Sequence, residues 1–261
     1  MGEFSGKIVV ISGGSRGIGR GIAEVFAGEG AQTVIASTSE RNLGVAADAI
    51  GKSGGPKPLT AALDLRQLED CETLHALVKQ KFERCDVLVN NAGATRAGNF
   101  LDLADETWLD GFMLKFFGCV RLSRMFWPML VEAQGCVVNI GGGAARTPSS
   151  DFLIGGSCNA AMANFTKGLS RLGMKDGVNV NIIHPGLTAT DRVQDLFAQR
   201  ASAAGKTIGE ISAAAVARDG IKRMGEPADI AELTLFLCSE KGRHIQGAAI
   251  PVDGGSTPGY Y

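Results

Sequence analysis

The sequence predicts an α/β fold: one doubly wound parallel sheet of about seven strands with helices on both faces. Three observations predict it. Short runs rich in Val and Ile recur along the whole chain, each is followed by a longer stretch of helical character, and glycine, 36 residues in all, clusters at a few of the junctions between them. Such alternation builds parallel strands joined by right-handed crossovers.

The elements follow in order. Residues 7–12 (KIVVIS) read as a buried strand and 17–30 as a helix. Residues 33–37 form the second strand, with 43–50 helical. The third strand is 59–64, and 68–82 is a helix with Leu74, Leu77 and Val78 on one face. Residues 86–90 (DVLVN) make the fourth strand. The stretch 106–131 is apolar enough for one extended helix despite Gly111 and Gly118. Residues 136–140 (CVVNI) and 178–183 (VNVNII) are strands flanking a helix over 160–172. A helix at 229–237 and a strand at 248–252 close the pattern. No repeat or linker divides the chain, so residues 1–261 form one domain. The interval 188–220, rich in Ala, Ser and Gly, is expected to be a mobile lid over a ligand.

The bulk composition excludes several classes of function. With 45% hydrophobic residues, 20% charged residues and a net charge of −1, the chain is an ordinary globular protein with no basic surface for nucleic acid or an anionic membrane. No uncharged apolar run reaches the ~20 residues that span a bilayer. The start, Met1-Gly-Glu-Phe-Ser, lacks the basic head and apolar run of a signal peptide. The six cysteines show neither Cys-x-x-Cys nor metal-ligand spacing and read as buried free thiols, which suits a reducing cytoplasm and no metal.

The first strand runs straight into Gly13-Gly14-Ser15-Arg16-Gly17-Ile18-Gly19, where a helix opens. Glycines there permit a tight turn and close backbone approach. The free N–H groups and dipole of the new helix then suit a pyrophosphate. Strand, glycine loop and helix together predict a Rossmann-type site for a dinucleotide.

Further motifs, in order, give the chain a family likeness. Ser12-Gly13-x-x-x-Gly17-x-Gly19 is similar to the cofactor loop of the short-chain dehydrogenases/reductases, with Ser in place of Thr. Asp64-Leu65 resembles that family's adenine-binding position, and Asn90-Asn91-Ala92-Gly93 its motif beside the cofactor. His184-Pro185-Gly186-Leu187-Thr188-Ala189-Thr190 looks like its nicotinamide-binding turn. Arg223-Met-Gly-Glu-Pro and Val252-Asp253-Gly254-Gly255 resemble its C-terminal signatures. The resemblance covers nearly the whole chain. It implies cofactor contacts from Ser12, Gly13, Ser15, Arg16, Gly17, Ile18, Gly19, Ser37, Thr38, Asp64, Leu65, Asn91, Ala92, Gly93, Asn159, Pro185, Gly186, Thr188 and Thr190.

An NAD site carries an acid at the end of its second strand, on the ribose 2′-hydroxyl. Here the stretch is Ala36-Ser37-Thr38-Ser39, with Arg16 and Arg41 as cations that could receive a 2′-phosphate. NADP is expected, with NAD the alternative.

The family's catalytic tetrad does not align. The resemblance places Asn159 at the lysine position, Gly155 at the tyrosine, Gly142 at the serine and Lys115 at the relay asparagine. No shift of register restores the tyrosine, because the only tyrosines are Tyr260 and Tyr261. Lys115 is the candidate catalytic residue: a lysine in an apolar pocket can lose its proton near neutrality. The competing expectation is that it reaches solvent or pairs with Asp110. His184 reads as a satisfied histidine at a strand end. Arg146, Ser149, Ser150 and Asp151 are candidates for ligand contact or helix capping, and Trp108 and Trp127 for packing.

Three functions stay open. The chain is an NADP-dependent oxidoreductase of a carbonyl or alcohol using a non-standard proton donor, a dinucleotide-binding protein without turnover, or a subunit supporting an active relative. Apolar residues on 106–131 and on the helix from Asn159 exceed what one sheet face needs, so a homodimer or homotetramer is expected.

Overall fold

A computed structural model describes residues 2–258 of the protein; Tyr260 and Tyr261 lie outside the described residues. The strands are β1 (Ile8–Ser12), β2 (Gln32–Ser37), β3 (Leu59–Ala62), β4 (Val87–Asn90), β5 (Cys136–Ile140), β6 (Asn179–Pro185) and β7 (Ala249–Val252). All pair in parallel, in the order β3-β2-β1-β4-β5-β6-β7. Strand order reverses between β1 and β4, and ligands of open α/β sheets bind in the crevice beyond the carboxyl ends of strands at such a point.

The helices are α1 (Gly17–Gly28), α2 (Glu40–Lys52), α3 (Leu68–Phe82), α4 (Asp105–Phe112), α5 (Gly118–Ala133), α6 (Leu153–Asp176), α7 (Asp191–Ala204), α8 (Ile208–Arg218) and α9 (Pro227–Cys238). Alternate residues of each strand feed opposite cores, as period-2 geometry requires. Val9, Ile11, Ile35 and Val138 pack with Ile22 and Phe26 of α1, Leu43 of α2 and Ile230 of α9. Val10, Val34, Leu88 and Val137 pack on the other face with Leu74 of α3 and Leu122 and Phe126 of α5.

Three expectations need correction. The long helix expected over 106–131 runs without a gap from α4 to α5 but widens into a π-turn at Met113–Phe117. Helix α6 begins seven residues before Ala160, so it carries Gly155 and Asn159 in its first turns. The interval 188–220, to which no helix was assigned, holds two packed helices, α7 and α8. Its Ala-rich composition favours helix, and Thr207 with Glu210 forms a complete capping box that starts α8.

Candidate active site

The carboxyl ends of β1, β4, β5 and β6 converge on one cleft. Gly13 (φ 69°) and Gly17 (φ 54°) take left-handed backbone that suits glycine, and α1 opens between β1 and β2 with its first-turn N–H groups facing out. A Cβ on Gly19 would lie 2.2 Å from Gly13 O, so helix and loop touch only because residue 19 is glycine. Ser12 is turned inward. Its hydroxyl accepts from Asn91 N and Ala92 N, each at 3.0 Å, and Asn91 Nδ2 donates to Ser12 O and Gly13 O, both at 3.1 Å. These bonds lock the glycine loop to the turn after β4.

Most of the other predicted residues lie on loops that follow the strands. Ser15 and Ile18 lie on the loop and the first turn of α1, and Arg16 is exposed beside them. Ser37 ends β2, where its Oγ accepts from Ser39 N, and Thr38 is exposed. Asp64 follows β3, with both carboxylate oxygens on Arg66 at 2.9 and 3.1 Å. Leu65 is buried in the core. The turn after β6 is held by Gly186 N donating to Val252 O at 3.0 Å and Thr188 Oγ1 donating to Gly186 O at 3.1 Å. Thr190 folds back against Gly17, 3.2 Å from where a Cβ would stand. The glycine loop, the turn after β4 and the turn after β6 thus stand side by side as one wall of the cleft.

Lys115 enters this wall from the π-turn. A π-turn inserts an extra residue and is common at functional sites. Here Gly111 and Gly118 flank it: a Cβ on Gly111 would lie 2.7 Å from Ile154, and one on Gly118 3.3 Å from Leu65 O. The segment therefore approaches α6 and the β3–α3 turn closely. The Lys115 stem lies over Gly93, with Cδ 3.0 Å from a Cβ built there, and Nζ donates to Gly141 O at 3.2 Å. Asp110, the competing partner, pairs instead with Arg66 at 2.6 Å. Burial lowers the Lys115 pKa from 10.5 to about 8, and Arg192 pushes it the same way.

The space beside Lys115 is filled in an unexpected manner. Gly155 is covered by the ring of Phe152, whose Cε1 and Cζ lie 2.1 Å from where its Cβ would stand. Gly142 is covered by the Asn159 amide, with Nδ2 2.7 Å from the corresponding point. Asn159 is 2% exposed and its Oδ1 has no hydrogen-bond partner among the described residues. A buried acceptor left unpaired costs about 1–3 kcal/mol, so this oxygen marks a place where a ligand donor fits. The sequence reading missed Phe152. Its signal was an aromatic residue three positions before a glycine at a helix start.

The remaining candidates divide. His184 is buried, with Nδ1 3.1 Å from Gly142 N and 3.0 Å from Gly142 O, and burial holds its pKa at about 4. It is a neutral structural histidine, as expected. The Cys158 thiol, near Lys115, is pushed up to about 11 by burial and stays protonated. Ser149 hydrogen-bonds Asp151, whose carbonyl accepts from Gly98 N at 2.9 Å, so the loops after β4 and β5 are stitched together. Trp127 donates to Asp176 at 2.8 Å, and Trp108 packs edge-on to Phe100. Sequence reading also missed Arg192 of α7, which donates to Thr95 O at 2.9 Å and ties α7 to the loop after β4.

Behind the cleft lies a buried polar chain. Asn90 Nδ2 donates to Ser123 Oγ at 3.1 Å and to Asn139 Oδ1 at 2.9 Å, and Asn139 Nδ2 donates to Thr166 Oγ1 at 2.8 Å. It fixes β4 and β5 against α5 and α6, holding Gly93 and Gly141 in place around Lys115.

Residues 13–257 match the family described as enoyl-(acyl carrier protein) reductase. The chain is 32% identical over 253 residues to the 3-oxoacyl-(acyl-carrier-protein) reductase FabG of Haemophilus influenzae, covering 97% of this chain and 98% of that one. The L-sorbose reductase of Gluconobacter frateurii, solved with NADPH and L-sorbose, matches with a TM-score of 0.96 at 31% identity, covering 100% of both chains. A short-chain dehydrogenase of Burkholderia cenocepacia, solved with NADP, matches with a TM-score of 0.85 at 28% identity, over 97% of this chain and 99% of that one. Among the described residues, no helix is long and apolar enough to cross a membrane. The chain belongs to the short-chain dehydrogenase/reductase family.

Proposed function

We propose that the protein is a cytoplasmic NADP-dependent oxidoreductase that interconverts a carbonyl compound and an alcohol, with Lys115 as proton donor where the family uses a tyrosine. One observation carries the reading: the Lys115 ammonium is turned into the cleft on Gly141 O, with no acid partner among the described residues. Family membership and the NADPH and NADP complexes of related proteins support the cofactor. The open glycine loop and the unpaired Asn159 Oδ1 fit a dinucleotide.

In this reading Gly13, Ser15, Gly17, Ile18 and Gly19 hold the pyrophosphate, and Arg16, Ser37 and Thr38 the 2′-phosphate. Asp64 and Leu65 border the adenine, Asn91, Ala92 and Gly93 the middle of the molecule, and Ser12 braces them from behind. Asn159 would take the nicotinamide ribose, and Pro185, Gly186, Thr188 and Thr190 would take the nicotinamide, which when bound would supply a hydride to the carbonyl carbon. As the carbonyl π pair moves onto oxygen, Lys115 Nζ gives up its proton, yielding the alcohol and a neutral amine that water reprotonates. Gly142 and Gly155 leave no hydroxyl at the family's serine and tyrosine positions, which is why the task falls to Lys115.

The test is the pH–rate profile of carbonyl reduction. With a pKa of about 8, the acid form is lost as pH rises, so kcat should fall above about pH 8. Lys115→Met should remove that limb and lower kcat by about 10²–10⁴-fold. A profile unchanged in the variant refutes the role. Phe152 favours a second reading, a dinucleotide-binding protein without turnover, because its ring fills the space above Gly155. Tight NADPH binding with no oxidation by any of a panel of aldehydes, ketones and oxo acids would select it.

A further inference from the structure

The mouth of the cleft carries two cations that no ion pair among the described residues balances. Lys115 lies over Gly93, and Arg192 is tied to Thr95 O at 2.9 Å, so the two cations stand at the ends of the segment 93–95. Two residues of fully extended chain span at most ~7 Å. Neither cation has an ion-pair partner among the described residues, although Asp191 and Asp195 share a helix with Arg192. Nearby acids are already committed. Asp110 is on Arg66, and the Asp253 carboxylate accepts from Gly255 N and Thr257 N, each at 2.9 Å. Asp151 is held by Ser149, and its carboxyl is kept below the usual range, with Arg200 and Arg218 contributing.

Two cations placed close together without a counter-charge repel each other, and each lacks the anion that would stabilise it. A side chain poised on a single backbone carbonyl, as Arg192 is, keeps guanidinium donors for a carboxylate. Both cations border the segment 93–95, so a molecule whose carbonyl oxygen meets Lys115 can turn an adjacent anionic group toward Arg192.

Resting on the reading of this cleft as a carbonyl site, we propose that the substrate is a short oxo acid, a 2-oxo or 3-oxo carboxylate, with its carboxylate on Arg192. Neutral sugars and simple ketones lack the group that would neutralise the pair. A second source of anionic charge is the cofactor, because Thr190, two residues before Arg192, touches the glycine loop. The experiment separates the two.

The probes are 2-oxobutanoate and 3-oxobutanoate, each against the neutral dione of the same shape, 2,3-pentanedione and 2,4-pentanedione. Binding is measured by calorimetry on the NADPH-loaded protein, and KM is measured where turnover occurs. At least one acid should bind about tenfold or more tightly than its dione, the scale of one charge-assisted contact. Arg192→Gln should abolish that preference, leaving dione binding within about twofold and NADPH affinity unchanged. Equal binding of acid and dione, failure of both acids to bind, or a preference that survives Arg192→Gln overturns the proposal. So does an Arg192→Gln variant whose main loss is NADPH affinity, which would assign the arginine to the pyrophosphate. Reduction of the diones with no preference for acids would sink the oxo-acid inference while leaving the oxidoreductase reading intact. Failure to bind NADPH, or to reduce any carbonyl, would remove the reading beneath it.

Discussion

Replacing Lys115 with methionine should make the cofactor-free protein more stable at neutral pH. Holding a lysine pKa at about 8 instead of 10.5 costs about 3 kcal/mol of folding free energy while the group is charged in both states. Methionine keeps much of the stem over Gly93 but loses the bond from Nζ to Gly141 O, worth about 1 kcal/mol. The variant should therefore gain about 2 kcal/mol at pH 7. The pH dependence fixes the cause. Below pH 8 both native and unfolded wild type carry the charge, so the penalty is complete. Between 8 and 10.5 the native amine is neutral while the unfolded one still binds a proton, so wild-type stability climbs relative to the variant. Above 10.5 the penalty is gone, and the lost hydrogen bond leaves the variant slightly the weaker. Urea denaturation of both proteins at pH 7, 9 and 10.5 reads the difference directly, since their other ionisable groups are shared. A variant less stable at pH 7, or a difference that does not change with pH, would refute the argument that Lys115 is buried at a cost.

Three other outcomes follow from the geometry. Gly155→Tyr should lose about 1–3 kcal/mol, because its Cβ meets the Phe152 ring, and Phe152→Ala in the same chain should recover part of that loss; additive effects in denaturation would count against the contact. Arg16→Ala should weaken NADPH by about 1–2 kcal/mol and leave NADH nearly untouched, and calorimetry showing equal losses would overturn the 2′-phosphate assignment. Leu109 of α4 is 64% exposed, Phe117 of the π-turn 43% and Leu172 of α6 44%, which fits this face pairing with another copy; light scattering at micromolar concentration should give a dimer or tetramer, and a monomer would contradict it.

The sheet was legible in the sequence because short runs rich in Val and Ile mark most of its strands, as in β1, β4 and β5, and glycine-bearing turns follow several of them. The glycine loop and the Asn-Asn-Ala-Gly turn were legible for a similar reason: their backbone demands are written in residue type. Side-chain occupancy was not. Nothing in the pattern of Met113–Phe117 announces a π-turn, because residues 113–117 suit an α-helix equally, and the close approaches at Gly111 and Gly118 arise only when α6 and β3 are in place. Residues 188–220 looked like a loop because Ala, Ser and Gly were weighed by flexibility rather than by helix propensity, and the Thr207–Glu210 cap was overlooked. That Gly142 and Gly155 carry no side chain was legible, but that the Asn159 amide and the Phe152 ring occupy the space beside them was not.

That infilling has a consequence for the paths open to the gene. A serine at 142 meets the Asn159 amide, and a tyrosine at 155 meets the Phe152 ring, so either change alone encounters a collision before it can contribute chemistry. A lysine at 159 would free residue 142 but strand a second cation beside Lys115. The order of substitution therefore matters: a tyrosine at 155 is accommodated more readily once residue 152 is small, and a serine at 142 once the Asn159 amide has turned aside.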